Sequence, residues 1–132
     1  MASILADTGP LYALADPSDQ FHARAVGELE SFKERGLAVA ATYPTLCEAY
    51  TLILRRLGTN YAHQWLAEML AGAVLLNPEP GDYVQGSVEL DRYSDRSITL
   101  VDAVTAVMSG KLSMPVWSYD RHFAIMKVKL RP

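Results

Sequence analysis

Four short apolar runs set the limits on what this chain can become: Ser3–Ala6, Leu37–Thr42, Ala73–Leu76 and Pro115–Tyr119. Each has the length of a strand, and the stretches between them are long enough for one or two helices each. Neighbouring parallel strands need a crossover of about a dozen residues or more, usually helical. The chain offers such crossovers throughout, which predicts a parallel sheet with helices on its faces.

The intervening stretches agree. Pro10 suits the first turn of a helix that Leu11–Ala15 continues, up to a break at Asp16-Pro17-Ser18-Asp19. Phe21, Ala25, Leu29 and Phe32 recur at helical spacing as far as Arg35-Gly36. Pro44 opens a helix through Leu46, Ala49, Ile53 and Leu57, closed by Gly58; Tyr61, Trp65, Leu66, Met69 and Leu70 mark another, closed by Gly72. Further helices are expected from about Tyr83 to Tyr93 and over Thr99–Leu112, and a last short strand over Lys127–Leu130. The expected fold is α/β: a three-layer α/β/α sandwich around a mostly parallel sheet of four to five strands, with residues 1–132 as one domain.

Composition removes several classes of protein. Apolar residues make up 50% and charged residues 20%, which suits a packed core rather than disorder. The longest apolar runs, Leu11–Ala15 and Leu37–Ala41, are far short of the roughly 20 residues of a membrane span. The N-terminus meets Asp7 with no basic stretch before it, unlike a secretory signal. Cys47 is the only cysteine, so no intrachain disulfide can form, and a reducing cytoplasm is expected. Charge is uneven: residues 111–132 carry Lys111, Arg121, Lys127, Lys129 and Arg131 against the single acid Asp120. A basic face of this kind suits an anionic partner, or is simply a solvated end of the chain.

Four acids stand in apolar company. Asp7 follows Ile4-Leu5-Ala6, Glu48 lies within Leu46–Tyr50, Asp102 within Ile98–Val104, and Asp120 follows Val116–Tyr119. Each has a purely structural explanation. Asp7 and Asp120 can cap helices after strands. Thr99 and Asp102 have capping-box spacing. Glu48 shares a helix face with Thr45, Thr51 and Arg55, which solvent could cover. Taken together they say more, because ligands of parallel sheets bind outside the carboxyl ends of the strands. Carboxylates converging there repel one another by about 3–4 kcal/mol per close pair at an effective dielectric near 20. Protonation or a cation must relieve that, and an oxygen-only set suits Mg²⁺ or Mn²⁺. Softer metal motifs are missing: His22, His63 and His122 are scattered, and no C-x-x-C or H-E-x-x-H occurs. His122 could assist near Asp120, but a surface histidine is the favoured reading. Phosphate-binding glycine motifs and the G-x-S-x-G elbow are absent too.

The segments Asp7-Thr8-Gly9-Pro10-Leu11, Cys47-Glu48-Ala49, Thr99-Leu100-Val101-Asp102-Ala103 and Tyr119-Asp120-Arg121-His122-Phe123 together resemble PIN-domain nucleases. The resemblance is to the VapC-type toxins of prokaryotic type II toxin–antitoxin pairs, and it runs in order over nearly the whole chain. It implies an acidic quartet of Asp7, Glu48, Asp102 and Asp120 that holds Mg²⁺ or Mn²⁺ and hydrolyses RNA. Thr8 would support the first acid through metal-bound water, and Asp95 would be an accessory one. Arg92, Arg96, Arg121, Lys127, Lys129 and Arg131 would contact RNA phosphates. The resemblance also implies a homodimer and an antitoxin partner, with Tyr12, Leu14, Phe21, Leu52, Trp65 and Met69 as apolar groove or dimer residues where they are not core. Two rival readings are a non-catalytic interaction module on the same fold and a Mg²⁺-dependent phosphatase or phosphotransfer domain. The latter lacks the D-x-D or adjacent acidic pair that it needs.

Overall fold

Strand β1 (Ser3–Ala6) is the centre of the molecule, with Ile4, Leu5 and Ala6 fully buried. The computed structural model describes residues 2–126 and 128–131. After β1 come α1 (Thr8–Ala15), α2 (His22–Glu34), β2 (Ala38–Thr42), α3 (Tyr43–Leu57), α4 (Thr59–Gly72) and β3 (Val74–Leu76). They are followed by α5 (Pro80–Arg92), α6 (Leu100–Leu112), β4 (Val116–Trp117) and α7 (His122–Ile125). The four strands form one sheet in the order β3-β2-β1-β4, and every pairing is parallel.

Alternation along β1 separates the two faces. Ile4 and Ala6 pack with Leu11, Phe32, Ala49, Ile53 and Trp65, under α1 to α4. Leu5 turns the other way and meets Ala40, Val104 and Met108, under α6. Helices α5 and α6 approach closely because Gly86 has no side chain: a Cβ there would lie 3.3 Å from Val104 Cγ2. The result is the expected α/β/α sandwich. No helix among the described residues is long and apolar enough to cross a membrane.

The sheet order creates a switch point. From β1 the chain moves outward to β2 and β3, then returns to place β4 on the opposite flank. The crevice between the carboxyl ends of β1 and β4 is where such sheets bind ligands.

Three boundaries differ from the sequence reading. Helix α5 starts at Pro80 rather than near Tyr83, because Glu79 and Asp82 form a capping box with proline in the first turn. Strand β4 has two residues, not five, since the chain leaves the ladder at Ser118. The expected final strand is reduced to one parallel bridge, Leu130 to Val116, and its first residue, Lys127, lies outside the described residues.

Glu28 on α2 ties down the end of β4. Its carboxylate accepts from Trp117 Nε1 at 3.1 Å and from the Tyr119 hydroxyl, and it pairs with Arg24 at 3.6 Å and with Arg131. Arg24 also lies over the Tyr119 ring, which packs against Phe21 with the ring planes tilted by 38°. Burial works against the charge, yet these donors and cations hold the Glu28 carboxyl below its usual range.

Candidate active site

The switch-point crevice opens into a cleft of about 570 Å³ lined by Asp7, Glu48, Asp102 and Asp120, with Thr8 and Arg121 beside them. Asp7 comes directly off β1, and Asp120 lies three residues beyond β4. Asp102 is in the first turn of α6, and Glu48 projects from α3, which starts where β2 ends. Thr42 caps α3 by accepting from Thr45 N, which fixes the start of the helix that carries Glu48.

Capping accounts for these acids unequally. Asp102 does form the capping box: its Oδ2 accepts from Thr99 N at 3.4 Å while its own N donates to Thr99 Oγ1 at 3.1 Å. Asp120 Oδ1 accepts from His122 N at 2.9 Å. Asp7 stands at the N-cap of α1 but makes no capping bond. Its Oδ2 accepts from Ser118 Oγ at 2.8 Å, and its Oδ1 is buried with no hydrogen-bond partner. Capping therefore does not explain why an acid is here.

Charge does not explain it either. The ion pairs among the described residues bring one imidazole and no lysine or arginine to this quartet. Burial pushes the Asp7 carboxyl up to about 7, with Asp102 and Asp120 adding to the effect and Ser118 opposing it. Burial also raises Asp102, helped by the charges of Asp120 and Glu48. Buried carboxylates that raise one another and leave an oxygen unpartnered fit a hard divalent cation, which the carboxylate oxygens would hold.

Thr8 has a direct partner on α3. Its hydroxyl donates to Glu48 Oε1 at 2.6 Å, and Ser118 takes the place beside Asp7. Asp95 does not line the cleft; its exposed carboxylate faces Arg96 at 3.8 Å. Of the basic residues, Arg121 reaches the cleft. Arg92 and Lys129 line a separate cavity of about 600 Å³, Arg131 is paired with Glu28, and Lys127 lies outside the described residues. Leu14, Trp65 and Met69 line an apolar groove of about 840 Å³ on the α1–α4 side. Tyr12 is buried and donates to Asp16 Oδ2 at 2.6 Å, Phe21 packs at a tilt against Tyr119, and Leu52 packs on the core.

Two residues of the site were missed by the sequence reading. Ser118 Oγ donates to Asp7 and accepts from Asp120 N at 2.9 Å, so it links the ends of β1 and β4. His122 is not a surface histidine: it is half-buried, with Nδ1 3.3 Å from Asp120 Oδ1 and 3.8 Å from Asp102 Oδ2. The alternate spacing of Ser118, Asp120 and His122 was the available signal, since Ser and Asp side chains bond to backbone two residues on.

Among solved structures the chain matches the Mycobacterium tuberculosis toxin VapC20, described as cleaving the sarcin–ricin loop, with a TM-score of 0.87, 22% identity, and 98% of this chain and 99% of that one covered. It also matches VapBC2 of Rickettsia felis bound to a promoter DNA fragment, at TM-score 0.75 and 12% identity over 98% and 97% of the two chains. A third match is FitAcB of Neisseria gonorrhoeae, at TM-score 0.68 and 20% identity over 98% and 96%. The fold is PIN-like. No protein-family model and no curated protein matches the sequence. At these identities the PIN-like fold is shared while most side chains differ, so what the cleft does must be argued from its own residues.

Proposed function

We propose that this chain is a metal-dependent endoribonuclease, the toxin of a type II toxin–antitoxin pair, with residues 1–132 acting as one nuclease domain. The observation that carries the reading is the convergence of Asp7, Glu48, Asp102 and Asp120 on one cleft, where no lysine or arginine among the described residues pairs with them. The likeness to VapC20, a toxin described as cleaving the sarcin–ricin loop, supports the choice of RNA.

Asp7, Asp102 and Asp120 would hold the ion, Mg²⁺ or Mn²⁺, through carboxylate oxygens. When bound, a divalent ion acidifies water and offsets charge on a phosphoryl group. Glu48 has one oxygen fixed by the Thr8 hydroxyl and the other free to orient the attacking water. In-line attack on the phosphodiester leaves a 5′ phosphate and a 3′ hydroxyl. Arg121, at the rim, contacts an RNA phosphate. The protein works in the cytoplasm as a homodimer, and its antitoxin binds along the groove of Leu14, Trp65 and Met69.

The test is incubation of the purified protein with total cellular RNA in Mg²⁺, in Mn²⁺ and in EDTA, beside Asp102→Asn. Discrete metal-dependent fragments that the variant does not make are expected. A folded, antitoxin-free protein that neither cleaves RNA nor binds either ion would be an interaction module instead.

A further inference from the structure

We propose that His122 is itself a metal ligand, through Nδ1 and beside Asp102 and Asp120, and that this nitrogen makes the site select Mn²⁺ over Mg²⁺. The inference rests on the metal-dependent reading above and adds to it a ligand that the acidic quartet does not contain.

One donor atom from each of Asp102, Asp120 and His122 lies within 4.8 Å of the others. Donors around an ion held at about 2.1 Å stand about 3 Å apart when adjacent and about 4.2 Å apart when opposite. The His122 Nδ1 separations of 3.3 Å to Asp120 Oδ1 and 3.8 Å to Asp102 Oδ2 fall between those limits. Nδ1 is buried, yet it makes no hydrogen bond. A nitrogen so close to two carboxylates and bonded to neither is placed for something between them. Asp7 Oδ1 is in the same condition: Asp7 is only 5% exposed, lines the same cleft, and leaves this oxygen without a partner.

The backbone is held so that the imidazole stays there. Ser118 Oγ binds both Asp7 Oδ2 and Asp120 N, and Asp120 Oδ1 accepts from His122 N. This relay starts at the first acid and ends at the histidine. Phe123, fully buried beside Val116 and Met126, anchors the next position.

The consequence is chemical. Mg²⁺ takes oxygen donors and keeps its waters, whereas imidazole nitrogen suits first-row transition ions. Mn²⁺ is the weakest nitrogen binder of that series, yet it accepts an imidazole more readily than Mg²⁺ does, so carboxylates with one nitrogen favour Mn²⁺ over Mg²⁺.

The full chain, stripped with EDTA, is titrated with MnCl₂ and with MgCl₂ by calorimetry. Pulsed electron paramagnetic resonance of the Mn²⁺ form then looks for ¹⁴N coupling from a directly bound imidazole. Expected are ¹⁴N coupling in the native protein, Mn²⁺ bound at least about tenfold more tightly than Mg²⁺, and loss of the coupling in His122→Ala. That variant should weaken Mn²⁺ binding by at least about tenfold, the low end of what loss of a metal-site partner costs. Mg²⁺ binding should change by less than about threefold, since Mg²⁺ relies on oxygen. Mn²⁺ bound without ¹⁴N coupling, or with coupling that persists in His122→Ala, overturns the inference while leaving a carboxylate site intact. Failure of the folded native protein to bind either ion overturns both readings. If His122→Ala does not fold, the native spectrum decides alone.

Discussion

Glu28 and Asp7 are both acids next to β4, and the protein treats them in opposite ways. Glu28 is surrounded by Trp117 Nε1, the Tyr119 hydroxyl, Arg24 and Arg131, and its carboxyl sits below the usual range despite burial. Asp7 is buried with one serine hydroxyl and two like charges, and its carboxyl is pushed up to about 7. The first arrangement is a fastening: every partner that a carboxylate wants is supplied. The second is deliberately short of partners. Interiors rarely tolerate such a deficit unless an absent ligand completes it. What separates structure from function here is the supply of donors and cations, because both acids are shielded from solvent.

The contrast can be broken at several points. The largest effect is expected from Asp102→Asn, which should cut RNA cleavage by at least about 10²-fold, the scale of removing one preorganised electrostatic group. A circular dichroism melt should show the fold retained, since asparagine can still accept the Thr99 capping bond. Full activity in this variant would end the assignment.

Next comes pH. The folded carboxyl of Asp7 lies near 7 and its unfolded value near 3.8, so between them the folded state holds a proton that the unfolded state has lost. Stability from this group is complete below the unfolded value and is lost as pH rises toward 7, by up to about 1.4 kcal/mol per pH unit. Glu28 and Asp82, both lowered, act in the opposite sense and at lower pH, where they become protonated. Metal-free protein should therefore unfold in less urea at pH 8 than at pH 5, and Asp7→Asn should flatten that difference. A pH-independent native midpoint would mean that Asp7 is not strained.

Glu28→Ala sharpens the comparison by reversing the sign. It should destabilise the protein by about 2–3 kcal/mol at both pH values, since it leaves buried donors without an acceptor. Urea titration measures both variants on one scale. The smallest effect is expected from Thr8→Val, which removes the 2.6 Å bond to Glu48. A loss near 1 kcal/mol corresponds to about a fivefold drop in cleavage rate, read from single-turnover kinetics.

The contrast also explains what the sequence could and could not reveal. Strands and helices were legible because apolar runs and helical spacing are local signals, and Asp7 was legible because it follows one such run. The basic segment was misleading for a physical reason. A count of charges along 111–132 carries no direction, and the fold sends Lys111 to Asp82, Arg131 to Glu28, Lys129 to another cavity and Arg121 to the cleft. Ser118 and His122 were overlooked because their roles depend on how the chain turns after β4, and that turn begins only where the ladder stops. The bond from Thr8 to Glu48 was not legible because Glu48 is 40 positions away, on a helix whose rotation the sequence does not state.

The hydrogen bond from Ser118 to Asp7 joins residues 111 positions apart. Protein synthesis is directional, so β1 waits through the making of two further strands and six helices before its neighbour β4 exists. A growing chain that has reached Leu112 already carries Asp7, Glu48 and Asp102, but it has no second wall for the crevice, no Ser118 and no Asp120. The four acids therefore share one cleft only once the chain has been made as far as Asp120, and the order of manufacture acts as an interlock on the assembly of the crevice.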